Sequence, residues 1–154
     1  PHLGRIKTLL DLFPQARFVH IVRDPSAVFP STVRLWKSLF ETQGVQVPSN
    51  DGLEEFVFNI FSRLYDGFGR NRSLIPASQY AEVRYEDLSK KPVESLQKIY
   101  DELNIADFPK ALPAVREYLH SREDYRTNRY VVSAQTLAQI KDRWSAYVDR
   151  YGYS

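Results

Sequence analysis

No cysteine occurs in the 154 residues, which removes disulfides, thiolate metal sites and cysteine nucleophiles together. Methionine is absent as well and the chain opens Pro-His-Leu, so the true N-terminus is expected to lie upstream of Pro1. Long apolar runs are missing: no stretch approaches the ~18 residues of a membrane span, and no membrane segment is expected within the chain. A signal or anchor upstream of Pro1 stays open, and with no such segment in view the expected location is cytoplasmic. Runs of Lys or Arg are also missing and the formal net charge is only +2. That argues against the dense phosphate neutralisation of nucleic-acid binding and favours one small anionic ligand. The six glycines are dispersed, with no Gly-x4-Gly-Lys-Ser/Thr phosphate loop. Three histidines without clustered carboxylates give no metal site.

What is present suffices for one ordinary core: 43% of residues are hydrophobic and 14% aromatic. Apolar residues at Leu3, Ile6, Leu9, Leu10 and Phe13 predict an amphipathic helix that Pro14 stops. Arg17 to Arg23 is β-branched, aromatic and apolar on both parities, as in a buried strand of a parallel sheet. Asp24 then suits an N-cap and Pro25 the first helical position, so a helix should run to about Thr42, bent at Pro30. After a loop over Gln43 to Gly52, helical periodicity resumes from Leu53 to Leu74. Ser78 to Arg84 reads as a second short strand, with Tyr80 and Val83 as its apolar members, and a turn follows through Ser89 to Pro92. Further helices are expected over Val93–Leu103, Pro109–Leu119 and Ala134–Tyr151, with Tyr125 to Val132 irregular. Alternating strands and helices argue an α/β layer architecture, and two strands alone leave the sheet to be completed by further sequence.

The strongest local signal is a strand ending in Arg23-Asp24-Pro25 with Ser31 eight residues after the arginine. It places a guanidinium at the C-terminal end of a strand and a hydroxyl about two turns into the next helix. The C-terminal edge of a parallel sheet is where α/β folds bind ligands, and a helix N-terminus favours an anion. Arginine offers a planar fork matched to phosphate oxygens, and serine adds a donor. On spacing alone, an ion pair beside a helix cap and an exposed helical serine explain the same residues equally well.

The whole string from Arg17 to Ser31, Arg-Phe-Val-His-Ile-Val-Arg-Asp-Pro-Ser-Ala-Val-Phe-Pro-Ser, resembles the 3′-phosphate-binding segment of sulfotransferases. Pro1-His2-Leu3, followed by a helix and Phe13-Pro14-Gln15-Ala16-Arg17, is similar to the Lys-Ser-Pro-x-His-Leu stretch of the bacterial-type branch, beginning just after its lysine. Val83-Arg84-Tyr85-Glu86-Asp87-Leu88 resembles the family's Tyr-Glu-Asp-Leu element. Tyr125-Arg126-Thr127-Asn128-Arg129-Tyr130, a helix and Tyr151-Gly152-Tyr153 are similar to its terminal loop and closing helix. Each motif is short; their order and spacing across nearly the whole chain carry the resemblance.

The resemblance implies a P-loop-NTPase-like α/β fold, three layers with flanking helices, of which residues 1–154 form the C-terminal portion of a single domain. It implies transfer of a sulfuryl group from 3′-phosphoadenosine 5′-phosphosulfate to a hydroxyl or amine of a small-molecule or glycan acceptor, with no metal. Arg23 and Ser31 would hold the 3′-phosphate and Tyr85 would wall the adenine. Arg126, Asn128 and Arg129 would lie in the loop that closes over the nucleotide, and His2 would serve as general base, a role suited to its pKa. Glu86 and Asp87 are expected to be structural, because carboxylates repel a polyanionic donor. His20 reads as a satisfied core histidine and His120 as a helix C-cap. The family's 5′-phosphosulfate loop would lie upstream of Pro1, so the chain alone is expected to be inactive. A nucleotide-dependent phosphotransferase and a non-catalytic nucleotide-binding or scaffold domain remain as alternatives, to be separated by upstream sequence.

Overall fold

The computed structural model describes residues 2–124, 127–128 and 130–153. In chain order, a 3₁₀ turn (His2–Arg5) leads into α1 (Ile6–Leu12), β1 (Phe18–Val22), α2 (Pro25–Gln43) and α3 (Leu53–Asn71). Two 3₁₀ turns (Arg72–Leu74 and Ala77–Gln79) precede β2 (Tyr80–Arg84), α4 (Tyr85–Lys90), α5 (Pro92–Glu102), α6 (Phe108–His120), α7 (Ala134–Arg143) and α8 (Ser145–Tyr151). The chain divides into two compact units, one of Pro1–Arg23 with Asn71–Asn128, the other of Asp24–Arg70 with Arg129–Ser154.

The first unit is built on β1 and β2, which pair in parallel with Phe18 opposite Tyr80 and Val22 opposite Arg84. A parallel pair needs a long crossover, and here the chain between the strands runs through α2 and α3. Side chains alternate between the faces. Ala81 and Val83 form a core cluster with Ile99 of α5 and Leu103, joined by Leu88, Leu96 and Ile105. The apolar members that β2 buries are therefore Ala81 and Val83; Tyr80 is half-buried. On β1 only alternate residues are buried. Val19 and Ile21 remain 45% and 49% exposed, whereas a strand apolar on both parities predicts burial of both faces.

His20 is 6% exposed and stands opposite Glu82 in the register. Its Nδ1 lies 3.0 Å from Glu82 Oε2 and 3.1 Å from Tyr80 Oη, and the Tyr80 hydroxyl donates to the same carboxylate oxygen at 2.5 Å. The buried imidazole thus has its Nδ1 partnered by groups of the neighbouring strand, in keeping with a satisfied core histidine. The α5–α6 connection turns on Asn104 (φ 48°) and Asp107 (φ 68°), residue types that tolerate the left-handed region. The Asn104 carbonyl accepts from the Arg17 guanidinium at 3.4 Å, which fastens this turn to the entry of β1. The Pro14 carbonyl accepts from Gln79 Nε2 at 2.8 Å, fastening the turn after α1 to the start of β2.

In the second unit Asp24 caps α2 as its sequence predicts, its carboxylate accepting from the Ser26 N–H at 2.8 Å and from the Ser26 hydroxyl at 2.6 Å. The 19-residue helix runs through Pro30 without ending there. The core is aromatic: Phe29 stacks on Phe58 at 4.3 Å between centroids, Phe61 on Trp144 at 3.9 Å, and Tyr147 meets both Phe61 and Tyr65. The continuous helix expected from Ala134 to Tyr151 is two helices. Trp144 leaves helical geometry (φ −111°, ψ 24°) and sends its indole N–H to the Phe58 carbonyl at 3.2 Å. A core hydrogen bond thus overrides a helical hydrophobic period that continues through the break. α8 ends at Gly152 in the left-handed conformation (φ 63°), where glycine carries no Cβ penalty. No helix among the described residues is long and apolar enough to cross a membrane.

Candidate functional site

β1 ends at Val22 and β2 at Arg84, which are partners in the register, so Arg23 and Tyr85 step together off the C-terminal edge of the parallel pair. Tyr85 opens α4 directly from the strand. The Arg23 guanidinium lies over its ring, Cζ 4.1 Å from the centroid, a cation–π contact. The Tyr85 hydroxyl lies 3.2 Å from Thr127 Oγ1. Its phenol is held below the usual tyrosine range, first by the Thr127 hydrogen bond, then by one from Ser89. Partial burial works against these, the Arg23 charge adds to them, and the Glu86 carboxylate opposes them.

Beside this pair opens a cleft of about 620 Å³ lined by Tyr85, Leu88, Ser89, Pro92, Tyr118, Leu119, Arg122, Glu123 and Thr127. Its lining mixes the apolar Leu88, Pro92 and Leu119 with the hydroxyls of Tyr85, Ser89 and Thr127 and the charged Arg122 and Glu123 just beyond α6. Glu86 and Asp87 occupy the first turn of α4, where acidic side chains complement the helix dipole. His120 closes α6, and its Nδ1 pairs with Glu123 Oε1 at 2.9 Å. It stands in the last turn of the helix, as expected of a basic side chain at the negative end of the dipole.

Of the residues that sequence singles out, Arg23 and Tyr85 are brought together. Ser31 is the seventh residue of α2 and belongs to the second unit. His2 is exposed in the opening 3₁₀ turn, and Asn128 is exposed beside Thr127. Arg126 and Arg129 lie outside the described residues. Thr127 and Ser89 escape sequence reasoning, although both carried a signal: Thr127 sits inside the matched loop, and Ser89 stands one helical turn beyond Tyr85. Among the described residues no cluster of three or more His, Asp or Glu is placed to hold a metal ion.

A model of the sulfotransferase family matches residues 1–110. The chain belongs to that family. Two relatives, the omega-hydroxy-beta-dihydromenaquinone-9 sulfotransferases Stf3 of Mycobacterium bovis and of Mycobacterium tuberculosis, are each 42% identical over 152 residues, covering 99% of this chain. The chain spans 39% of the length of either relative. Among solved structures, sulfotransferase STF9 from Mycobacterium avium superposes with a TM-score of 0.75 over 97% of this chain and 39% of its own, at 18% identity. That likeness places the chain in the α/β sulfotransferase fold, of which it displays a mostly helical part around one parallel strand pair.

Proposed function

We propose that this chain carries the 3′-phosphate and adenine side of the donor site in a sulfotransferase that uses 3′-phosphoadenosine 5′-phosphosulfate. In this reading residues 1–154 are the C-terminal portion of a P-loop-NTPase-like, three-layer α/β domain. The observation that carries the proposal is the Arg23 guanidinium resting on Tyr85 at the C-terminal edge of β1 and β2. The stacked guanidinium gives its face to the aromatic quadrupole, and its N–H groups form a planar fork. A terminal phosphate dianion matches that fork. Ser31 and the first turn of α2 would add a hydroxyl and a favourable dipole.

The residues fit the nucleotide in a second respect. The cleft beside Tyr85 is lined by the apolar Leu88 and Leu119, the Tyr118 ring and several polar side chains, a mixture suited to a purine. Asn128 and the flanking arginines, Arg126 and Arg129, would then cover the nucleotide. Once donor and acceptor are in place, the acceptor oxygen attacks sulfur and the bond from sulfur to the 5′-phosphate oxygen breaks. The hydroxyl proton passes to His2, and adenosine 3′,5′-bisphosphate departs. No metal takes part in this scheme; positioning and cations facing the leaving phosphate supply the rate. The 42% identity to menaquinone-derivative sulfotransferases supports a lipid-like quinone alcohol as acceptor.

The test is titration of the full-length protein with adenosine 3′,5′-bisphosphate against AMP. The bisphosphate should bind clearly tighter, and Arg23→Ala should abolish the preference. Equal, weak binding of both nucleotides by the unaltered protein overturns the reading.

A further inference from the structure

Tyr85 is constrained from three sides. Its backbone is set where β2 passes into α4, its face is covered by Arg23, and its hydroxyl is held by Thr127 and Ser89. These last two partners differ in kind. Ser89 lies in the same helix, one turn on, and moves with Tyr85. Thr127 is 42 residues away in sequence, beyond the end of α6. We propose that Thr127 is a positioning residue whose tie to Tyr85 holds Thr127, its neighbour Asn128 and the Arg23 guanidinium in one arrangement for the donor phosphate. The inference rests on the donor-site reading above and names a residue through which that site is assembled.

Physical chemistry supports the tie at both ends. Thr127 is exposed, where an ordinary hydroxyl pair competes with water and contributes little. Its partner is no isolated phenol: the Arg23 guanidinium lies over the ring and Ser89 also bonds to the hydroxyl, so the Thr127 contact joins groups already held in place. Thr127 is also next to Asn128 in the chain, so fixing its hydroxyl fixes, within one Cα step of about 3.8 Å, a residue proposed to cover the nucleotide. Binding is reciprocal: if the tie favours the geometry of Arg23 that a phosphate needs, the phosphate favours the tie.

The experiment compares Thr127→Val with Thr127→Ser in the full-length protein, by two readouts. The first is affinity for adenosine 3′,5′-bisphosphate. Valine should weaken it about three- to tenfold, the worth of one hydrogen bond, and serine should restore it. The second needs no ligand: the Tyr85 phenol is titrated by NMR in protein labelled at the tyrosine ring carbon bearing oxygen, its signal identified by its loss in Tyr85→Phe. Because the hydroxyl lowers the phenol pKa, valine should move this titration to higher pH and serine should leave it in place. A phenol that does not move, unchanged affinity in the valine variant, or failure of serine to restore affinity each overturns the proposal. Failure of the donor-site reading is separately visible as an Arg23→Ala variant that keeps its preference for the bisphosphate.

Discussion

The Arg23 guanidinium lies 4.1 Å above the centre of the Tyr85 ring, and the two residues leave neighbouring parallel strands at the same rung. The contact gives Tyr85 two separable roles: its ring supports a cation and its hydroxyl holds Thr127. Tyr85→Phe keeps the first and removes the second, so its affinity for adenosine 3′,5′-bisphosphate should fall about as far as that of Thr127→Val. Tyr85→Leu removes both and should lose a further amount on the order of 0.5–2 kcal/mol, the range of a cation–π contact. Calorimetric titration of the two variants measures the difference. Equal losses in phenylalanine and leucine variants would show that the ring contributes nothing to the arginine.

Arg23→Lys separates charge from geometry at the same place. Lysine retains the cation but presents a point charge in place of a planar fork and stacks less well on a ring. The bisphosphate should bind the lysine variant about tenfold more weakly than the unaltered protein, yet more tightly than Arg23→Ala, since charge-assisted contacts survive in part. Its salt dependence should persist, and that of the alanine variant should diminish. Full restoration by lysine would mean that a long-range charge, not a bidentate contact, holds the anion.

Much of this arrangement is legible in sequence, for reasons that differ between elements. α2 is read correctly because Asp24-Pro25 encodes its own start through a local cap, and that cap forms. β1 and β2 are read correctly because β-branched and aromatic residues bounded by prolines and turns leave few alternatives. The break at Trp144 is not legible, since it depends on the Phe58 carbonyl, 86 residues away in sequence. α4 is missed because a six-residue helix is too short to display a period. In the site, Arg23 and Tyr85 are found by motif, while Thr127 and Ser89 are hydroxyls whose role exists only through a distant or folded partner. Sequence draws attention to charge; the arrangement of neutral donors requires coordinates.

Trp144 is 2% exposed and packs against Phe29, Phe58 and Phe61 in the second unit. Trp144→Ala should cost about 3–5 kcal/mol, the range for truncating a large core aromatic. Trp144→Phe keeps most of the ring packing and loses the indole donor. The Phe58 carbonyl would still accept from the Ser62 hydroxyl at 3.2 Å, so the hydrogen-bond part of the loss should be only about 1 kcal/mol. Urea unfolding of the two variants gives both values. A phenylalanine variant as unstable as the alanine one would mean that the indole hydrogen bond, and not the ring packing, carries most of the stability at this position.

Glu55 on α3 receives both terminal nitrogens of Arg143 on α7, one of them at 2.7 Å, while Asn59 Nδ2 donates to it at 2.9 Å and Asn59 Oδ1 accepts from Arg143 at 3.1 Å. The carboxyl is held below its ordinary value of 4.5, chiefly by the Arg143 hydrogen bond, with the Asn59 bond and the arginine charge adding and desolvation opposing. Arg143 is raised above its ordinary value, first by the same bond. Because the folded pKa of Glu55 is the lower one, the unfolded chain binds more protons as pH falls. The stabilisation is therefore complete above 4.5 and is lost as pH drops through the folded value. Glu55→Gln should lower the thermal midpoint most near neutrality, and the gap to the unaltered protein should close on acidification below about pH 4. It should also narrow in high salt, because the Glu55 carboxylate is exposed to solvent. Thermal melts of both proteins across this range, at low and high salt, measure the gap. A difference that stays constant down to about pH 3 would mean that Glu55 acts through packing and not through its charge.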